Sequence, residues 1–389
     1  MKYRELGKSG KTVSILGFGC MRLPILGGAE SPADILNPEK FIDEEEATRM
    51  VEYAVEHGIN YFDTAYGYHA GQSEVFLGRA IRPFRDRVMI ASKLPVWMVT
   101  SADDFDRILD EQLARLDTDH LDFYLLHGLG RHHWQPVLEM GVLDFLQQTL
   151  GDGRVDHIGF SFHDDIGIFK EIVDSADWDM CQIQYNFYDE NYQAGKAGLE
   201  YAASRGIGVV SMEPLRGGKL VDRIPEAVMD IWNTASVRRN PVQWAFRWVW
   251  DQPQVSMALS GMSSMAQLVE NIDIAGEMDP GSLSEGEREM IARVREVYRG
   301  MLKVDCTNCA YCLPCPSGVN IPRNFSLYND LHMFKDPEIN VMVYNHMLPP
   351  GQRASNCIEC SRCEELCPQK IPIIEELKKV HATLNRETK

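Results

Sequence analysis

The sequence lacks three features that would place it in other classes of protein. No apolar run approaches the roughly 20 residues that a membrane-spanning helix requires, the longest being stretches such as RVMIASKL and IGVVSME. No apolar export segment opens the chain, which begins MKYRELGKSGKT, so we expect a cytoplasmic protein with reduced thiols. Clusters of lysine and arginine are also absent, and the formal charge of −18 at pH 7 argues against a nucleic-acid or anionic-membrane partner.

A glycine-rich phosphate loop of the Rossmann kind is missing too, because the GFG of residues 17–19 and the RGG of residues 216–218 are isolated. What is present from residue 13 onward is an alternation of short apolar runs with amphipathic stretches of helical period. This alternation is typical of repeated βα units and a parallel sheet. Eight strands are predicted, over residues 14–19, 59–65, 87–94, 120–127, 157–163, 180–186, 207–213 and 255–261.

Eight parallel strands with helical crossovers can close on themselves, so the sequence predicts an α/β fold with a (β/α)8 barrel in residues 1–282. The opening MKYRELGKSGKTVS predicts a small hairpin that turns at Lys8 to Gly10 and plugs the barrel floor. Ser284 is a candidate N-cap, and the pattern that follows predicts a connecting helix over residues 283–300. Residues 301–389 are then expected to form a small, mainly helical domain.

Cysteine is scarce before residue 306 and dense after it. The second of two runs, CIECSRCEELCP, has the CxxCxxCxxxCP spacing of bacterial ferredoxins, in which the fourth cysteine binds the cluster of the opposite run. The first run, CTNCAYCLPCP, is one residue shorter before its last cysteine. Zinc is the alternative, but zinc modules normally offer paired CxxC knuckles. We therefore expect two 4Fe-4S clusters, one held by Cys306, Cys309, Cys312 and Cys367 and the other by Cys357, Cys360, Cys363 and Cys315.

Titratable groups stand at or just beyond the carboxyl ends of three consecutive predicted strands, the edge at which such barrels hold their active sites. They are Asp63, Lys93, His127 and Tyr68. A lysine at the end of an apolar strand needs a counter-ion, and a cation near a phenol lowers the phenol's pKa. The tyrosine would then act as general acid toward a carbonyl oxygen, with the histidine sharing the hydrogen bond. Each group alone has an ordinary structural explanation, but their coincidence favours a carbonyl-reducing site.

The segments YRELGKSGKTVSILGFGCMRLP, YFDTAYGY, IASKL and FYLLH resemble the aldo-keto reductase family, over about residues 1–281. The resemblance implies that Asp63, Tyr68, Lys93 and His127 form a catalytic tetrad beside an extended nicotinamide cofactor. It also implies that the cofactor contacts are Ser161, Gln182, Met212, Leu215, Glu270 and Asn271.

Two positions depart from the family pattern. The family commonly has asparagine after the serine, whereas this chain has Phe162, followed by His163 as a candidate for the polar contact. Many members hold a 2′-phosphate with lysine and arginine, whereas the segment SGMSSMAQLVEN has Gly261 and Gln267. The departures leave both NADP and NAD open as the cofactor.

The whole chain resembles ferredoxin-bearing members of the aldo-keto reductase family. Hydride transfer moves two electrons together, whereas iron-sulfur clusters pass them singly, and a flavin usually bridges the two modes. Either an undetected flavin is present, or the clusters serve an electron-carrier protein, a radical step or structure. We expect an oxidoreductase that acts on a small-molecule carbonyl or alcohol and is coupled to the clusters. The alternative is an electron-transfer or redox-sensing protein whose barrel is a docking or nucleotide-sensing scaffold.

Overall fold

The computed structural model describes residues 1–28, 37, 39–222, 224–306, 312–334, 337–367 and 369–386. Its contacts divide the chain into two compact units. The first comprises Met1–Glu30, Asp34–Leu220 and Asn240–Arg288, and the second includes Val221–Arg239 and Glu289–Lys389. The domain boundaries expected from the sequence stay a prediction. No helix in the described part of the chain is both long and apolar enough to cross a membrane.

The strands of the first unit follow the predicted runs closely. They are β1 (Tyr3–Glu5), β2 (Thr12–Ser14), β3 (Leu16–Gly19), β4 (Tyr61–Asp63), β5 (Met89–Leu94), β6 (Leu121–Leu129), β7 (Val155–Phe162), β8 (Met180–Gln184), β9 (Gly208–Met212) and β10 (Val255–Gly261).

Within the described residues, eight of these strands form a closed barrel in the order β10-β3-β4-β5-β6-β7-β8-β9. Every neighbouring pair is parallel, and the ring closes where β3 pairs with β10, with Leu16 opposite Ala258 and Gly19 opposite Gly261. Parallel strands covered by helices are buried on both faces, which explains why the strand segments are nearly continuous apolar runs. The predicted (β/α)8 barrel is confirmed.

The α-helices in the described residues up to residue 300 follow the barrel strands in sequence, and the last of them begins in the first unit and continues into the second. They are α1 (Glu44–Glu56), α2 (Gln72–Ile81), α3 (Asp103–Leu116), α4 (Arg131–Glu139), α5 (Val142–Asp152), α6 (Ile166–Ser175), α7 (Gly195–Ser204), α8 (Glu226–Trp232), α9 (Pro241–Asp251), α10 (Met265–Gly276) and α11 (Glu285–Gly300). Of these, α8 belongs to the second unit.

Local sequence signals account for the ends of these helices. In α1, the Asp43 carboxylate caps the helix by accepting the Glu46 N–H at 3.1 Å, and Gly58 follows the helix with a φ of +92°. In α11, the predicted cap is confirmed as a reciprocal capping box. The Ser284 N–H donates to Glu287 at 2.8 Å, and the Glu287 N–H donates to the Ser284 hydroxyl at 3.3 Å.

The predicted hairpin closes the barrel floor. Strands β1 and β2 pair antiparallel, and Leu6 and Val13 are fully buried in the apolar layer inside the barrel. The Lys8 N–H donates to the Gly206 carbonyl at 2.7 Å, so the turn is tied to the loop before β9. The turn begins at Gly7, which has a φ of +55° and lies against the backbone of Gly208, where a Cβ atom would not fit.

Arg4 connects this amino-terminal hairpin to residues 250–255, near the last strand of the barrel. Its guanidinium donates to the carbonyl of Trp250 at 2.5 Å, to that of Gln252 at 3.2 Å and to that of Val255. Carbonyls in the last turn of a helix have no partners within the helix, so the half-buried Arg4 guanidinium satisfies the Trp250 carbonyl at the end of α9.

The described regular structure of residues 301–389 is helical, which confirms the expected mainly helical fold. It consists of α12 (Ile321–Phe334), α13 (Pro337–Met342), a π-helical turn (Val343–Met347), α14 (Arg362–Leu366), α15 (Ile373–Leu384) and two short 3-10 turns. Its apolar core includes Phe325, Tyr344 and Leu377, each at most 1% exposed. Several of the predicted cluster ligands pack against this core.

Candidate active site and cluster-binding cysteines

Three of the four predicted catalytic residues lie near the carboxyl ends of neighbouring barrel strands, and the fourth, Tyr68, lies in the loop after β4. Asp63 is the last residue of β4, Lys93 is the last but one of β5, and His127 lies on β6. Register places Asp63 opposite Ala91 and Lys93 opposite Leu125. Because parallel strands deliver their carboxyl ends to the same rim, these side chains meet at the barrel mouth.

The Lys93 ammonium is the centre of the group. It is buried, forms an ion pair with the Asp63 carboxylate, and donates to the Thr64 carbonyl at 2.8 Å and to the Tyr68 hydroxyl at 3.4 Å. A charge taken out of water needs a partner of opposite sign and further hydrogen bonds, and Lys93 has both. Burial is the largest single influence on the pKa of Lys93 and lowers it, but the Asp63 carboxylate and the Tyr68 phenol together outweigh burial and leave the pKa above its ordinary value.

The electrostatics of Tyr68 correct one expectation. From the sequence, the neighbouring cation was expected to lower the pKa of the phenol, and Lys93 does act in that direction. Burial of the phenol is the larger effect, however, and it leaves the pKa of Tyr68 above its ordinary value. Tyr68 is therefore protonated at neutral pH, and Lys93 limits how far burial raises the pKa.

His127 completes the group as a neutral imidazole. Its ring packs edge-on against the Tyr68 ring, with 5.8 Å between the centroids. Burial lowers the pKa of His127 far below its ordinary value, and the nearby charges of Lys93 and His163 lower it further. Its Nδ1 atom is buried and has no hydrogen-bond partner among the described residues. A neutral ring of this kind offers a hydrogen bond without a charge.

The loop that carries Tyr68 has a strained backbone. The φ angles of His69, Ala70 and Gly71 are +49°, +53° and +91°, in the left-handed region that side chains disfavour. His69 is buried, and its Nε2 accepts the Leu23 N–H at 3.2 Å. Burial lowers the pKa of His69 to about 4, so the ring stays neutral and keeps this acceptor. No pattern in the sequence marks His69 as part of the site.

Glu74 and Arg115 were also missed. Glu74 is fully buried on α2, and its carboxylate bonds the Arg115 guanidinium at 3.2 Å. The signal that could have found it is a charged residue on an otherwise apolar helix face, next to Phe76 and Leu77.

Two of the expected cofactor residues are placed side by side. Ser161 on β7 and Gln182 on β8 are direct partners in the sheet register, and both are buried. The Ser161 Oγ accepts the Gly128 N–H at 2.8 Å, so its own hydrogen remains to be donated. The Gln182 Nε2 donates to Asp63 at 2.5 Å, whereas its Oε1 is buried and without a partner in the described part of the chain. The Ser161 hydroxyl as donor and the Gln182 Oε1 as acceptor match the C=O and N–H groups of a primary carboxamide.

The other expected cofactor contacts are dispersed. Met212 ends β9, and its carbonyl accepts the Tyr185 N–H at 3.2 Å; Leu215 follows in the next loop. On α10, the Glu270 carboxylate accepts from Asn240 at 2.6 Å, and the buried Asn271 amide donates to Ser260 at 3.2 Å. The last two contacts tie α10 to its neighbours, so a cofactor role for these residues stays a prediction.

Phe162 occupies a position that points away from the mouth. It is fully buried, and its ring packs edge-on against Phe169 of α6 at 5.0 Å between centroids. Side chains alternate along a strand, so Ser161 faces the barrel interior and Phe162 faces the helices. His163 acts electrostatically on His127, so it lies near the mouth.

The cysteines of the two runs gather around the core of the second unit. Cys363 and Cys367 are buried in its apolar cluster, and Cys306, Cys312, Cys315 and Cys357 pack against that cluster. Cys360 is exposed. Cys309 lies outside the described residues.

Cys315, the position where the first run departs from the ferredoxin spacing, is held by a polar turn. Its Sγ lies 3.4 Å from the Ser317 Oγ, and the Gly318 N–H donates to the Cys315 carbonyl at 2.9 Å. Burial raises the pKa of the Cys315 thiol, but the Ser317 hydroxyl and the nearby backbone N–H groups of residues 317–319 outweigh burial, and the pKa lies below its ordinary value. Burial also raises the pKa of Cys363 to about 11, with further contributions from Cys357 and Cys315. Cysteines of both runs thus lie within electrostatic reach of each other.

Comparison with known proteins gives matches for both parts of the chain. Residues 16–284 match the model of the Aldo/keto reductase family, and residues 305–371 match the model of a 4Fe-4S dicluster domain. An L-galactose dehydrogenase of Arabidopsis thaliana is 26% identical, over 74% of this chain and 93% of its own. An NADH-specific methylglyoxal reductase of Escherichia coli is 24% identical, over 70% of this chain and 93% of its own.

A solved structure shows the same architecture. The aldo-keto reductase AKR11C1 from Bacillus halodurans, in its holo form, superposes with a TM-score of 0.62 at 26% identity. The superposition covers 76% of this chain and 96% of the other.

Proposed function

Because the chain belongs to the aldo/keto reductase family and also matches a 4Fe-4S dicluster domain, we propose that it is a hydride-transferring oxidoreductase coupled to two iron-sulfur clusters. Its substrate would be a small-molecule carbonyl or alcohol, with Tyr68 as the general acid and base. The observation that carries this proposal is the Lys93 ammonium, which bonds the Asp63 carboxylate and lies 3.4 Å from the Tyr68 hydroxyl at the barrel mouth.

The geometry supports proton transfer by Tyr68. In the reducing direction the phenol donates its proton to the carbonyl oxygen as negative charge develops there. The ammonium of Lys93 stabilises the phenolate that remains, and Asp63 keeps Lys93 in place and charged. The neutral His127 ring donates a second hydrogen bond to the same oxygen. In the oxidising direction the phenolate takes the proton back.

Residues at the mouth also fit a nicotinamide. The Ser161 hydroxyl would donate to the carboxamide oxygen, and the orphaned Gln182 Oε1 would accept from its N–H group. When bound, a reduced nicotinamide supplies the hydride. Met212, Leu215, Glu270 and Asn271 are the further candidates for cofactor contacts. The name of the Escherichia coli relative specifies NADH, and both NADH and NADPH are therefore to be tested.

The cysteine-rich segment fits two 4Fe-4S clusters. The donor set is thiol, as such clusters require, and six of its seven described members are buried in or packed against one apolar cluster. We propose that Cys306, Cys309, Cys312 and Cys367 hold one cluster and that Cys357, Cys360, Cys363 and Cys315 hold the other. Such clusters would pass single electrons to an electron-carrier protein, with a flavin as the candidate adapter between two-electron and one-electron chemistry.

The first test is an anaerobic titration of the purified protein with NADH and with NADPH. We expect the visible cluster absorbance to bleach and to recover on addition of a carbonyl substrate. The opposite outcome has two parts: the clusters are reduced by a chemical reductant but by neither nucleotide, and no carbonyl is turned over. That outcome would instead identify an electron-transfer or redox-sensing protein whose barrel is a scaffold.

The second test is Tyr68→Phe. Loss of the general acid should lower kcat by about 10²- to 10⁴-fold, because the ring remains while its proton is lost. The cluster spectrum should not change. Tyr201→Phe is the matched control, since that hydroxyl bonds Asp174 on the exposed helix layer at 2.8 Å. Equal turnover by the two variants would refute the assignment of Tyr68.

A further inference from the structure

We propose that Arg115 is a positioning residue that sets the distance between the Tyr68 phenol and the Lys93 ammonium by clamping the loop that carries Tyr68. The inference rests on the proposed function, because it concerns the geometry of the same site. Arg115 lies on α3 and touches neither of the two groups whose distance it controls.

The clamp consists of Arg115 and its carboxylate partner Glu111, and it holds Tyr66, two residues before Tyr68. The Arg115 Nη1 donates to the Tyr66 carbonyl at 3.1 Å, and the guanidinium lies 4.1 Å from the centroid of the Tyr66 ring. The Tyr66 hydroxyl donates to Glu111 at 2.9 Å, and Glu111 accepts from the Arg115 Nη2 at 2.5 Å. Backbone, ring and hydroxyl of Tyr66 are therefore all fixed by the same guanidinium and its carboxylate partner.

Arg115 is also connected, through the Glu74 carboxylate, to the strand that carries Lys93. Glu74, which is fully buried, accepts from Arg115 at 3.2 Å, from the Ser92 hydroxyl at 2.6 Å and from the Gln112 amide at 2.6 Å. The same Gln112 amide lies 3.1 Å from the Lys93 carbonyl. One buried charge network thus links the loop before Tyr68 to the backbone of Lys93.

The loop needs such a clamp because of its strain. The left-handed conformations of His69 and Ala70 are unfavourable for residues with side chains and persist only where the surroundings hold them. The loop is held on one side of Tyr68 at Tyr66, by Arg115, and on the other at His69, by the Leu23 N–H. Releasing the Tyr66 side would allow the phenol to move away from the ammonium.

The chemistry of the clamp requires arginine. A planar guanidinium can donate to Tyr66, Glu74 and Glu111 at once while its face covers an aromatic ring. A lysine would keep the positive charge beside the buried Glu74 carboxylate, but it has neither the planar fork nor the stacking face. Arg115→Lys therefore separates charge pairing from positioning.

The consequence for Tyr68 is a change of pKa. The groups that act on its phenol are Lys93 on β5, Asp63 on β4, Cys20 after β3 and the neutral His127 on β6. Of these, Lys93 lowers the pKa, whereas Asp63 and Cys20 raise it. If the phenol moves away from Lys93 while its ring stays buried, the pKa rises.

The experiment compares Arg115→Lys with Arg107→Lys in the full-length holoprotein. Arg107 lies on the same helix, is exposed and pairs with Asp104 at 2.6 Å, so it controls for the loss of an arginine. The pKa of Tyr68 is read by NMR titration of ¹³C-labelled tyrosine, with Tyr68→Phe assigning the resonance. We expect Arg115→Lys to raise that pKa by roughly half a unit or more, and Arg107→Lys to leave it unchanged.

Kinetics supply the second readout. Arg115→Lys should lower kcat about tenfold or more with little change in the cofactor KM, and should move the alkaline limb of the pH–rate profile to higher pH.

A folded Arg115→Lys variant with the wild-type Tyr68 pKa overturns the inference. If Arg115→Lys does not fold, the double variant Arg115→Met with Glu74→Gln removes both charges of the pair, and its Tyr68 pKa gives the same decision. If the wild-type protein turns over no carbonyl or alcohol, the proposed function fails, but the titration still decides the role of Arg115.

Discussion

At the residue scale, His69 shows how a buried neutral imidazole supports the site. Its Nε2 can accept the Leu23 N–H only while that nitrogen carries no proton. Burial lowers the pKa of the ring to about 4, so the acceptor is retained throughout the neutral range. The neighbouring Tyr68 depends on this contact, because it lies in the same strained loop.

The depressed pKa of His69 has a predictable effect on stability. Between pH 6.5 and about 4 the unfolded chain binds a proton that the folded chain does not, so the free energy of unfolding falls as pH falls through this window. His69→Gln keeps an acceptor but cannot titrate. We therefore expect the wild type to lose about 2 kcal/mol more than the variant between pH 7 and pH 5.

The measurement is denaturant unfolding of the barrel, followed by tryptophan fluorescence at the two pH values. Parallel decline of the two proteins would mean that His69 takes up its proton without loss of structure.

The sequence was sufficient to predict that Asp63, Lys93 and His127 lie close together with Tyr68, because strand order alone brings the carboxyl ends of parallel strands together. Their catalytic roles stay a prediction. It was not sufficient to predict the direction of the Tyr68 pKa, which depends on how far burial outweighs a cation 3.4 Å away. Arg115 was missed because its contacts to Tyr66 and Glu74 span 49 and 41 positions along the chain. No local pattern marks such a clamp.

At the scale of elements, the approach of α2 to α3 depends on a single glycine. A Cβ atom at Gly78 would overlap the Leu116 carbonyl at the end of α3. Both helices carry members of the charge network, Glu74 on α2 and Arg115 on α3, so their separation matters beyond packing. Gly151 on α5 is a helical glycine with open space around it.

These two glycines make a matched pair of variants. Gly78→Ala should lower the free energy of unfolding by about 2–3 kcal/mol, because the backbone of α3 must move to make room. Gly151→Ala should raise it by about 0.5–1 kcal/mol, because alanine loses less backbone entropy in a helix. Thermal unfolding of both variants checks the prediction. A Gly78→Ala protein as stable as the wild type would show that the two helices can separate freely.

Most elements were predictable from their pattern, because each barrel strand is a short apolar run and several helices, among them α1, α6, α9 and α10, have a polar residue at the N-cap. The π-helical turn at Val343–Met347 was not, since its extra residue per turn is set by packing rather than by periodicity. The tie of Arg4 to α9 was also not predictable, because a lone arginine in an exposed-looking hairpin carries no sign of its partners.

At the scale of the whole molecule, the second unit joins two cysteine runs that are far apart in the sequence. Cys315 of the first run acts electrostatically on Cys363 of the second. The ferredoxin-like spacing implies that each run supplies one ligand to the other cluster. The ligand sets are proposals, and the pattern of iron loss in double variants can distinguish them.

The prediction uses Cys315 as the common member of two double variants. If the sets are crossed, Cys315→Ala with Cys357→Ala removes ligands of one cluster only, and about four of roughly eight iron atoms per chain remain. Cys315→Ala with Cys306→Ala should then remove both clusters. Iron and sulfide analysis of anaerobically purified protein gives the answer. The reverse pattern would assign each cluster to a single run.

The seam where β3 meets β10 has a consequence for biosynthesis. The first barrel strand can pair on that side only with the last, and Arg4 must find the carbonyl of Val255, which lies 251 positions later. At the usual pace of translation, the segment made first waits between about 12 and 50 seconds for its partner to emerge. During that interval the first barrel strand has no partner on that edge, so the amino-terminal part of the barrel is open to pairing with other chains until the ring of strands closes.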